Sequence, residues 1–185
     1  LGYHLGAMAD LLIAHGADQV YLVEDPSLQV YQDESYTEIV AQLIQKDQPE
    51  IVLFGGSTYG RSLAPRLAAR IRTGLAADCT SFAIDTEQRL LLQTRPTYGG
   101  SLMATIICPD QRPQMATIRP KAMKALPQDD TRTGKVIRPE VCLPADLKTT
   151  VVEVVADVNK MVNPADADII VAGGRGRSEE HTSEL

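Results

Sequence analysis

At 185 residues the chain can bury a proper core, as one domain or as one domain and the beginning of another. Apolar residues make up 44% but aromatics only 4%, with no Trp, so the interior must be assembled from Ala, Leu, Ile and Val, the profile of an α/β protein. A net charge of −6 leaves no broad basic surface and argues against nucleic acid as a partner.

Leu5, Met8, Leu11 and Leu12 recur at helical spacing and Gly16 is a C-terminal stop, which predicts a first helix ending there. Leu1–His15 opens inside that amphipathic pattern, so a first strand is expected upstream of Leu1. QVYLVE, from Gln19, is a short strand. Tyr36, Ile39, Val40, Leu43 and Ile44 line one stripe of a second helix closed by Pro49, and Ile51–Phe54 is a fully apolar strand. A third helix follows, with Leu63, Leu67 and Ile71 on its core face and Ala64 and Ala68 beside them. Pro65 fits that helix in two ways: Ser62 is the N-cap, or the helix starts at Thr58 and bends. From Asp78 onward the chain turns to short β segments: CTSFAID, LLLQTR, LMATIIC, QMATIRP, KVIRPEVCL and TTVVEVVAD. This order predicts a Rossmann-like parallel sheet with helices on both faces, extended by additional strands at one edge.

The predicted α/β domain runs over residues 1–162. NPADAD, Asn163–Asp168, is a polar connection, and Ile169–Ala172 starts a strand that ends in GGRG, so residues 163–176 are a linker and the first strand of a second domain. RSEEHTSEL, residues 177–185, has no hydrophobic period and reads as a non-native tail, which sets His181 aside. Cys79, Cys108 and Cys142 form no CxxC pair, which excludes a zinc ribbon or thioredoxin motif and disfavours a disulfide scaffold. No run of about 18 apolar residues could span a bilayer and no basic-then-apolar leader opens the chain. A soluble, cytoplasmic protein without membrane insertion is expected. Charge is nonetheless uneven: Leu1–Gly60 carries nine acidic residues against Lys46, whereas Arg112–Arg138 carries seven basic ones against Asp129 and Asp130. That strip is a docking face, an anion site or simply a solvated surface.

Four constellations carry candidate chemistry. Gly55–Arg61, GGSTYGR, is a strand end turning into a helix, where backbone NH groups could approach a phosphate with Ser57, Thr58 and Arg61 assisting. It lacks the Walker GK[ST], fits no GxGxxG and has no SGGxDS, so a tight turn capping a helix is the better-supported reading. Arg95, in TRPTYGG, and Arg119, in ATIRP, each precede a proline that holds them extended and fixes where the guanidinium points. Gly99 and Gly100 beside Tyr98 permit a hairpin or a close backbone approach. Gly173, Gly174, Arg175 and Gly176 follow an apolar strand, where glycines open space for a cofactor and Arg175 could meet a pyrophosphate or a reduced flavin. A catalyst is not found: His4 and His15 have no Ser or Cys partner in motif context, no HExxH or paired metal ligands occur, and Asp78 with Cys79 is a marginal acid and nucleophile pair.

YGRSLAPRLAARIRTGLAADCT, QTRPTYGG, MATI and QMATIRP together make Leu1–Gly176 resemble the electron transfer flavoprotein alpha subunit. The resemblance implies an adenine nucleotide alpha hydrolase-like version of the fold and a heterodimer with a beta subunit. It also implies FAD held by the alpha subunit's second domain, at the entry marked by Gly173, Gly174, Arg175 and Gly176. The given sequence is not expected to retain FAD by itself. Arg95, Tyr98, Gly99, Gly100 and Arg119 are then candidates for the subunit interface or the flavin edge. The implied function is electron carriage, without catalysis, between an acyl-CoA dehydrogenase or related dehydrogenase and an acceptor, as in fatty acid β-oxidation. TRPTYGG and RPQMATIRP look like a branch in which some members bifurcate electrons. Lys121 stands where the family pattern leads one to expect glycine after the proline. The rival readings are a freestanding nucleotide-binding module and a small hydrolase or transferase using Asp78 or Cys79.

Overall fold

The computed structural model describes residues 1–144, 146–155 and 169–171. The chain divides into one unit spanning Leu1–Thr150 and a second spanning Val151–Leu185. The first is an α/β unit. Its elements in order are α1 (Met8–Ala14), β1 (Gln19–Tyr21), α2 (Asp33–Asp47), β2 (Ile51–Gly55), α3 (Thr58–Ile71), β3 (Leu75–Cys79), β4 (Ser81–Asp85), β5 (Leu90–Thr97), β6 (Leu102–Ile106), β7 (Gln114–Ile118) and β8 (Lys135–Ile137).

Three sheets result. β7 lies between β2 and β3, all parallel; β1 pairs in parallel with β8; β4, β5 and β6 form an antiparallel sheet with β5 in the centre. Alternation along β7 assigns its two faces. Met115 points to α2 and α3, packing with Ala41, Ile44, Leu67 and Ala68 and against Val52, Phe54 and Leu75. Ala116 points the other way, into a cluster with Ala76 and Cys79 that Phe82 and Ile106 of the antiparallel sheet cover. The added strands therefore form a second layer on the parallel sheet. Gln114 ties the layers together: its Oε1 accepts from the Leu91 N–H at 2.8 Å and its Nε2 donates to the Arg89 carbonyl at 3.2 Å.

Local rules explain the helices. Asp33 opens α2 with a charge suited to a helix N-terminus, and its carboxylate accepts the Ser62 hydroxyl of α3 at 2.6 Å and the Tyr31 hydroxyl. Those bonds hold the Asp33 carboxyl below its usual range, while burial and that neighbour push the Tyr31 hydroxyl up. α3 begins at Thr58, with Ser57 as N-cap accepting the Gly60 N–H at 3.2 Å; of the two expected starts this is the one that leaves Pro65 inside the helix.

Three expectations are corrected. α1 buries Ala9, Ile13 and Ala14, and leaves Met8, Leu11 and Leu12 exposed, because it is Ile13 and Ala9 that meet Val20 of β1. Val151–Val155 of the expected TTVVEVVAD strand and Ile169–Val171 of the expected apolar strand carry no strand pairing; an apolar run becomes a strand only when another edge completes its ladder. The expected boundary at 162 and 163, and the tail from Arg177, lie outside the described residues. Among the described residues no helix is long and apolar enough to cross a membrane.

Candidate functional site

The carboxyl ends of β2, β7 and β3 converge on one cavity of about 560 Å³, lined by Gly56, Arg61, Pro65, Leu75, Ala77, Asp78, Thr117, Arg119 and Pro120. This is the crevice in which open α/β sheets place ligands. Its corner depends on glycine. The Gly56 N–H donates to the Ile118 carbonyl at 2.7 Å, and a Cβ there would lie 2.6 Å from that same oxygen. At Gly60 a Cβ would collide with the Gly55 carbonyl oxygen, so α3 can dock this tightly on the strand end only with glycine.

β3 contributes Asp78 through an irregularity. Its register shifts between Ala76 and Cys79, and Asp78 adopts φ 62, a left-handed conformation that aspartate tolerates better than most residues. The Asp78 N–H is satisfied by the Thr117 hydroxyl at 2.9 Å. The re-aimed carboxylate takes a bidentate pair from Arg119, Nε to Oδ1 at 2.9 Å and Nη2 to Oδ2 at 2.5 Å. The Arg119 hydrogen bonds hold the Asp78 carboxyl below its usual range, with the charges of Arg119, Arg95 and Arg61 adding to the effect. Arg95 acts on the same carboxylate from β5, and its Nε is buried with no hydrogen-bond partner among the described residues.

Arg95 and Arg119 are thus brought together around Asp78. Tyr98, Gly99 and Gly100 form the tight turn between β5 and β6, all three with positive φ, and Tyr98 is 84% exposed. Gly173, Gly174, Arg175 and Gly176 lie outside the described residues. Three arginines of the basic strip are engaged: Arg112 donates to four carbonyls, those of Arg89, Cys108, Pro109 and Gln111, Arg119 pairs with Asp78, and Arg132 pairs with Asp18 at 2.9 Å.

Hydrolase chemistry is not supported. Cys79 is fully buried and burial pushes its thiol up, away from the reactive thiolate. His15 is occupied through Nδ1 at 2.9 Å from the Leu126 carbonyl. The sequence offers Asp78 only as an acid; its pairing with Arg119 depends on β3 lying beside β7, a long-range adjacency that no local motif announces.

A parallel sheet carrying a second, antiparallel layer and a glycine-cornered crevice at its strand ends defines a nucleotide-fold α/β protein. Residues 3–144 match the electron transfer flavoprotein domain, and the chain belongs to the electron transfer flavoprotein family. It is 48% identical to the electron transfer flavoprotein subunit alpha of Thermoanaerobacterium thermosaccharolyticum over 95% of this chain and 53% of the relative. It is 44% identical to Protein FixB of Rhizobium meliloti (92% and 48%) and 37% identical to the acryloyl-CoA reductase electron transfer subunit beta of Anaerotignum propionicum (97% and 56%). The chain therefore spans about half the length of these curated relatives.

Proposed function

We propose that the full-length protein is the alpha subunit of a heterodimeric electron transfer flavoprotein that carries electrons between a dehydrogenase of the acyl-CoA dehydrogenase type and an acceptor. The observation that carries this reading is the match of residues 3–144 to the electron transfer flavoprotein domain, with an alpha subunit 48% identical to the chain. A relative named as the electron transfer subunit of an acryloyl-CoA reductase supports a redox partner that works on a CoA thioester. On this reading the protein is a cytoplasmic carrier and not a catalyst. FAD, when bound, supplies the redox chemistry; Gly173, Gly174, Arg175 and Gly176 open its binding domain after the linker at 163, and the α/β domain before them docks on the beta subunit.

What supports a docking role is the β5–β6 hairpin. Tyr98 at its tip and Leu102 and Met103 beside it are exposed, the composition of an interface centre rather than of an ordinary surface. The partnerless buried Nε of Arg95 fits a position completed by an acceptor from the beta subunit or the flavin edge, and Arg119 lies beside it at Asp78. The reading is tested by co-expressing the full-length subunit with a beta subunit. A yellow one-to-one complex, bleached by acyl-CoA when the dehydrogenase is added, is the expected result. A subunit that remains colourless and unassociated ends the reading.

A further inference from the structure

We propose that the cavity at the carboxyl ends of β2, β7 and β3 binds a phosphate monoester of mononucleotide size, with Arg61 and Arg119 on the phosphate and Pro65, Leu75, Ala77 and Pro120 against the organic group. The site lies within Leu1–Thr150 and shares Arg119 with the proposed subunit interface or flavin edge, but its test reads nucleotide binding by the chain alone and not flavin or the beta subunit.

Four observations converge on it. At about 560 Å³ the cavity falls in the size range of small-molecule and cofactor sites, well above that of a single anion. Its lining is divided, with apolar side chains on one part and two guanidiniums facing a single carboxylate on the other. The charge is unbalanced toward cation: Asp78 is paired directly with Arg119, and the charges of Arg95 and Arg61 act on the same single carboxylate. Among the described residues the Arg61 guanidinium makes no hydrogen bond or ion pair, although it stands in the first turns of α3 and lines the cavity.

Asp78 then has a defined part. Its carboxylate occupies the bidentate face of Arg119, the same face that a phosphate would use. A bound phosphate competes with Asp78 for Arg119 and gains Arg61 outright. The two residues therefore push affinity in opposite directions when changed, which a merely structural role for either would not produce. The glycine corner permits the approach, because neither Gly55 nor Gly56 places a side chain at the strand end.

Calorimetric titration of the full chain with AMP, inorganic phosphate and adenosine tests this. AMP is expected to bind, with phosphate weaker for want of the apolar contacts and adenosine weaker still for want of the charge. Arg61→Met is expected to weaken AMP binding by roughly tenfold or more, since it removes a charge-assisted contact, with an unchanged circular dichroism spectrum as its folding control. Asp78→Asn is expected to tighten AMP binding several-fold by releasing Arg119. Adenosine binding as tightly as AMP, AMP affinity unchanged in Arg61→Met, AMP binding weakened by Asp78→Asn, or no heat with AMP at all would each overturn the proposal.

Discussion

Asp78 holds a left-handed backbone and a carboxyl pulled down by Arg119, and its contribution to stability therefore depends on pH with a definite sign. The folded pKa is below the unfolded value of about 3.9, so the contribution is fully present above that value and is lost as pH falls through the folded one. Thermal midpoints of the native chain and Asp78→Asn are expected to differ at neutral pH and to converge as the pH falls through the lowered folded pKa. Parallel curves across the acid range would show that the carboxylate contributes nothing through its charge. The residue scale also shows what sequence reading can reach. A helix-capping turn at Gly55–Arg61 was legible because a cap acts within four residues, although the capping side chain is Ser57 and not Ser62; the Asp78–Arg119 pair was not, because its partners are 41 residues apart and meet only through the β3–β7 register. Lys121 lies between these cases. It replaces the glycine that the family pattern leads one to expect, yet it keeps φ 64, so the loop retains the backbone that glycine favours.

The elements follow local rules where a single face decides. α3 buries the stripe read from its periodicity, with Leu63, Ala64, Leu67 and Ala68 buried, whereas α2 buries only Ile39 and Ile44 of its stripe, leaves Tyr36, Val40 and Leu43 half-buried, and packs on α3. α1 departs from its stripe: it is only seven residues long, and its docking is set by Val20 rather than by its most hydrophobic side. Two substitutions probe this scale. Gly60→Ala forces a methyl group against the Gly55 carbonyl and is expected to cost about 3 kcal/mol in urea unfolding. An unchanged midpoint would mean that α3 can shift off the strand end without penalty. At the other end of the preceding helix, Gln48 caps α2 at φ 47, exposed and immediately before Pro49. Glycine removes the left-handed penalty of about 1 kcal/mol but adds unfolded-state entropy, so Gln48→Gly is expected to stabilise by about 0.5 kcal/mol. A lower midpoint would show that the side chain holds more than its backbone costs.

Across the whole Leu1–Thr150 unit the antiparallel layer is the departure from a plain nucleotide fold, and it is one of the places where apolar side chains reach solvent. Its inner face is used up on Ala76, Cys79 and Ala116. On its β6 edge Leu102 and Met103 remain exposed, and the turn at Tyr98 lifts a tyrosine clear of the sheet. CTSFAID, LLLQTR and LMATIIC were legible as strands; that β4, β5 and β6 stack as a second layer was not, because layer assignment depends on which face of β7 each strand meets. A large aromatic held on a tight turn beside aliphatic neighbours has the features of an interface anchor, so the proposed heterodimer gives it a measurable role. Tyr98→Ala is expected to weaken association with the beta subunit by about 2 kcal/mol, roughly thirtyfold. The stability of the chain should not change, since the Tyr98 side chain makes no described hydrogen bond and is 84% exposed. Ile84, exposed on the opposite edge strand β4, supplies the contrast: Ile84→Ala should leave association unaltered. Sedimentation of the heterodimer across a dilution series reads both. Equal weakening by the two substitutions would spread the contact over the whole layer, and weakening by Ile84→Ala alone would move it to β4.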